Sequence, residues 1–98
     1  MNEQREAVMK AVRALLEVDE RCGKVVIDEC ARIATTIGNL MAPALQGSRL
    51  HGQQNAVSQV IRLCSEADFW LELYPEYTSE CIASVNALKT LLETPTLR

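Results

Sequence analysis

The groups in this sequence most capable of chemistry are four thiols, one imidazole and several carboxylates at helical spacing. Cys22, Cys30, Cys64 and Cys81 include no close C-x2-C pair. The nearest two stand eight residues apart, so the pairwise spacing of a structural zinc site is missing. With a turn at Gly23, all four thiols fall on inward helical faces, where a soft ion, Cu(I) or Zn, could be held in a bundle core. A buried cysteine more commonly serves as a small hydrophobe, and packing is the expected role. The thiol-metal bundle is the alternative.

His51, the only histidine, lies beside Arg49 in a stretch bounded by Gly47 and Gly52. A lone imidazole can act as a general base or a phosphoacceptor. Helical phosphotransfer domains, however, carry theirs within a helix ahead of a lysine and a glycine, whereas His51 precedes Gly52-Gln53-Gln54-Asn55. A solvated loop histidine is expected. Glu3 with Glu6 and Glu17 with Glu20 have the spacing of a magnesium-binding helical pair. Such a site needs a second pair facing the first, and Asp28-Glu29 points away from the apolar face of its helix. Serine and threonine hydroxyls lack a base partner, and the glycines form neither a phosphate-binding loop nor a dinucleotide fingerprint. No catalytic constellation and no cofactor site is expected.

All four aromatic residues, Phe69, Trp70, Tyr74 and Tyr77, fall within nine positions. Glu66, Asp68, Glu72, Glu76 and Glu80 surround them. Tryptophan and tyrosine bury large areas while keeping a polar tip, which suits them to interfaces. Phe69 is expected to close one end of the core. Leu63, Trp70 and Tyr74 form a sparser line behind the main apolar stripe. The expected partner-binding set is therefore Leu63, Glu66, Trp70, Glu72, Tyr74 and Tyr77, docking a basic protein surface or a second copy in a homodimer.

The elements that must hold these residues read as all-α. Apolar residues make up 48% and charged residues 23% of 98, with three prolines and four glycines, which suits one folded helical domain. The spacing predicts helices over 3–20, 24–42, 53–73 and 79–93, forming a compact four-helix arrangement of two hairpins, with completion by dimerisation left open. Val25 to Met41 is the central element. Val26, Ile27, Cys30, Ile33, Ala34, Ile37, Leu40 and Met41 share its dry face, and Asp28, Glu29, Arg32, Thr35, Thr36 and Asn39 its wet one.

The first helix is expected to bury Val8, Met9, Val12, Leu15, Leu16 and Cys22. Asp19 interrupts that stripe, so a turn is placed within Asp19–Lys24; the rival is a single rod of about forty residues continuing in heptads through Gly23. Pro75 is expected to stop the third helix, and Thr78 or Ser79 to cap the fourth. A weak similarity relates the segments starting at Asp28 and Ser79, which amphipathic helices of like composition produce by chance.

The net charge of −3 is uneven. Residues 64–98 carry six acids against Lys89 and Arg98, a sign that repels phosphates and disfavours direct nucleic-acid binding. No apolar run approaches the length of a membrane span, and the charged start does not resemble a secretory signal. A cytoplasmic protein with reduced thiols is expected.

Overall fold

The computed structural model describes residues 2–45 and 54–93. Every regular element among them is helical: α1 (Asn2–Leu16), a single 3-10 turn (Glu20–Cys22), α2 (Lys24–Leu40), the short α3 (Ala42–Leu45), α4 (Gln54–Leu71) and α5 (Pro75–Glu93). His51, its glycine-bounded stretch and the tail from residue 94 lie outside the described residues.

The helices break where local chemistry offers the backbone something better than another helical turn. Glu17 N–H still donates to Arg13 O and Ala14 O, but Asp19 then turns its carboxylate back on the Arg21 backbone N–H at 2.8 Å. This caps the 3-10 turn. Gly23 follows at φ 91°, ψ 157°, a conformation essentially closed to residues with a Cβ, and its carbonyl accepts the first α2 bond from Ile27 N–H at 3.0 Å. The uninterrupted rod is thus excluded. The first helix also ends four residues earlier than its apolar spacing alone suggests.

The second tight connection is built differently. After Leu71, Leu73 N–H donates to Trp70 O and Tyr74 N–H to Leu71 O. Pro75 then becomes the first residue of α5. Here the sequence expectation is corrected: Pro75 starts a helix, because a proline's missing N–H costs nothing in a first turn. Thr78 correspondingly lies inside the helix and is buried at 2% exposure. Its hydroxyl points at Leu71 O (2.7 Å) and Tyr74 O (2.9 Å), tying the end of α4 to the start of α5.

Around the bundle axis α1 packs on α2 and α5, and α4 packs on the same two. The ring therefore closes within one chain, as two antiparallel hairpins set side by side. Ile33 and Ile37 are fully buried at its centre with Leu15, Met41, Val60, Leu71, Val85 and Leu88, as the periodicity of residues 25–41 requires. Each large aliphatic side chain so placed stabilises the fold by roughly 1.5–3 kcal/mol. The α1 stripe is rotated from expectation: Val8, Ala11 and Leu15 are buried, while Met9 and Leu16 are exposed. Ala7, Ala11 and Ala14 on that side present little bulk to the neighbouring helices. Among the described residues no helix is long and apolar enough to cross a membrane.

Candidate functional site

Both tight connections, 17–23 and 72–74, lie at the same end of the bundle, where they touch. The Arg21 guanidinium sits over the Tyr77 ring, 4.2 Å from its centroid, and the Tyr74 hydroxyl lies 3.9 Å from where a Cβ on Gly23 would be. Arg21 is also gripped by Asp19 through two side-chain bonds of 2.7 and 3.0 Å. That guanidinium holds the Asp19 carboxyl down at about 2.

Of the expected partner-binding residues, Trp70, Glu72, Tyr74 and Tyr77 lie at this end, Glu66 stands a turn further back and Leu63 is at the middle of α4, and most have intramolecular work as well. Leu63, Trp70 and Tyr74 are half-buried against the core. They occupy the flank of α4 that faces α2. Glu66 accepts from Arg32 of α2, which also pairs with Glu29 at 2.8 Å. Tyr77 carries the Arg21 cation on its face. Glu72 is exposed.

Phe69 departs from expectation. It does not close the core; at 62% exposure it stands on the outer face of α4, edge-on to Trp70 with ring centroids 5.3 Å apart. Leu73, four residues on, is 53% exposed, and Val25 on α2 is 64% exposed. Sequence reasoning missed all three as surface residues. The signal was available for Phe69, which at about 100° per residue falls opposite the stripe Val60, Cys64, Ala67 and Leu71. Leu63, Trp70 and Tyr74 lie at the edge of that stripe, and for that reason they are partly covered.

Of the six large apolar side chains exposed among the described residues, Leu16, Val25, Phe69, Leu73 and Tyr77 belong to the last or first turns around the two connections. Charge follows the same division. The turn-bearing half, residues 9–32 and 63–84, holds ten acids against five bases; the remaining described residues hold three acids against three bases. Asp68 adds an unusual feature, because its buried Oδ1 has no hydrogen-bond partner. Burial first, and then Glu72, raise its pKa, while Lys89 opposes them.

The four cysteines are buried and free. Loss of solvent is the main cause that lifts the Cys30 thiol to about 11 and those of Cys64 and Cys81 to about 12, with Cys22 raised in the same direction. At neutral pH these groups are protonated, which makes them weak nucleophiles. Among the described residues, no three His, Cys, Asp or Glu side chains are grouped to hold a metal ion. A groove between α1 and α5 reaches Cys81 and is lined by four acids, Glu6, Glu17, Asp19 and Glu80, against two bases, Lys10 and Arg13. Comparison with known proteins leaves the argument on this geometry: no family model, no curated protein and no solved structure matches the chain.

Proposed function

We propose that this chain is a non-enzymatic protein-interaction module, a regulator, adaptor or inhibitor, that docks a basic protein partner on its turn-bearing end. The observation that carries the reading is the coincidence of two surface properties. The exposed apolar side chains and the acidic surplus occupy the same end of the bundle. Apolar anchors supply affinity once desolvated, while surrounding charge of one sign steers and selects an oppositely charged partner. Four free thiols accord with work in a reducing compartment such as the cytoplasm.

The test is capture from native lysate by the wild-type chain and by the Phe69→Ala/Leu73→Ala double variant. The expected outcome is a basic partner retained by wild type, released as salt rises to about 0.5 M, and not retained by the double variant. Unfolding temperatures should match, because both side chains are exposed. Equal capture by the two chains would refute the reading.

A further inference from the structure

We infer that this chain pairs with a second copy of itself through the outer face of α1, antiparallel about a two-fold axis. The helix carries two apolar lines where the bundle uses one. Val8, Ala11 and Leu15 are buried in the core, whereas Met9 and Leu16, spaced by three and four from the partly buried Val12, are 39% and 56% exposed. A line with that spacing is the seam by which one helix packs on another. Met9, Val12 and Leu16 wall one shallow depression together with Arg13 and Glu17. None of the described helices fills it. Met9 and Leu16 stay exposed although α2, α3 and α5 are already packed on α1, and α4 stands diagonally across the bundle.

Charge selects the occupant. At about 100° per residue, Glu6, Lys10, Arg13 and Glu17 border the line on one side, while Val8 and Leu15 lie on the other and turn into the core. All four charged side chains are exposed, and none is ion-paired among the described residues. The border is neutral in sum, so it selects neither a basic nor an acidic surface, but it complements itself when reversed. An antiparallel two-fold sets the same border of both helices side by side. With Leu16 seated on Val12 of the second copy, Glu17 comes level with Ala11 of that copy, between its Lys10 and its Arg13, and the contact is made twice. A parallel pair would set each charged border against the side of Val8 and Leu15 and leave every ion without a partner. This face is opposite the one where Phe69 and Leu73 stand, so self-association and the docking of a basic partner are tested separately.

A seam one helix wide is at the small end of protein interfaces, so light scattering and sedimentation equilibrium are expected to show a dimer forming across the micromolar range. Arg13→Glu and Glu17→Arg alter exposed side chains and should leave the helical content unchanged. Each alone sets like charges across the two-fold axis and should weaken self-association about tenfold or more. An equimolar mixture of the two variants should recover it as a mixed dimer, because the acids of one chain then face the bases of the other. The double variant Arg13→Glu/Glu17→Arg should recover it within a single chain, and Leu16→Ser should remove it. A chain that stays monomeric throughout the range, or a dimer that Arg13→Glu leaves intact, would overturn the inference. A mixture no more associated than its components would also overturn it, as would a dimer lost in Phe69→Ala/Leu73→Ala yet kept in Leu16→Ser.

Discussion

The two tight connections at one end of the bundle solve the same problem with different materials. The first, between α1 and α2, is held by exposed charge and one glycine: Asp19 and Arg21 clasp each other, and Gly23 takes the backbone angle that lets α2 start. The second, between α4 and α5, is held by a buried hydroxyl and a proline: Thr78 bonds two carbonyls, and Pro75 pre-sets the first turn. Solvent competes for the Asp19–Arg21 clasp of the first connection and is excluded from the Thr78 hydroxyl of the second. The first should therefore respond to pH and to backbone substitution, and the second to loss of one neutral side chain.

The largest effect is expected at Gly23. A Cβ there would meet only the Tyr74 hydroxyl, at an ordinary 3.9 Å, so the cost of Gly23→Ala is conformational and not steric. Holding a non-glycine residue in that region costs about 1–3 kcal/mol. Gly38 supplies the opposite sign. It is helical, a Cβ there meets nothing within 4 Å, and Gly38→Ala should stabilise by about 0.5–1 kcal/mol. Urea unfolding of both variants checks the pair. Equal effects would mean that the backbone of the first connection is not what sets its geometry.

Thr78→Val comes next. The substitution keeps the buried volume and removes the hydroxyl, while Leu71 O still accepts from Tyr74 N–H and Tyr74 O from Tyr77 N–H. Neither carbonyl is orphaned, so the loss should fall near the net value of one hydrogen bond, about 1 kcal/mol. Thr78→Ala removes the methyl as well and should cost more. A Thr78→Val variant as stable as wild type would show that Pro75 and the backbone bonds suffice.

The same contrast explains how much of this architecture could be read in advance. The dry face of residues 25–41 follows from period alone, because a stripe that wide must be buried somewhere, and Ile33 and Ile37 are fully buried. The first turn was legible in Asp19 and Gly23, residue types with known roles at breaks. The second was misread, since Pro75 and Thr78 each suit two roles. Proline ends one helix or begins the next, and threonine caps a helix or bonds back from inside it. Only tertiary packing decides between them. The candidate surface was legible as an acidic, aromatic segment but not in its exposed members. Phe69 was assigned inward on hydrophobicity, although its phase points outward.

The smallest effect, and the one that separates the two connections most cleanly, is expected on acidification. Asp19 has a folded-state value of about 2 against an ordinary 3.8, so it contributes stability that is complete above pH 3.8 and disappears as the pH falls toward 2. The pair is exposed, so solvent screening keeps this contribution small. Asp68, three residues before the end of α4, behaves in the opposite sense. Burial and Glu72 raise its value above 3.8, so its contribution is complete below that pH and is lost as the pH rises through the raised value. Asp19→Asn should accordingly flatten the acid limb of the stability profile below pH 3.8 without changing the limb above it. Asp68→Asn should remove a destabilisation present at neutral pH and leave the Asp19-dependent limb intact. Denaturant midpoints across this range for the two variants and the wild type decide it, because a shared response would mean that one electrostatic network, and not two separate connections, governs this end of the bundle.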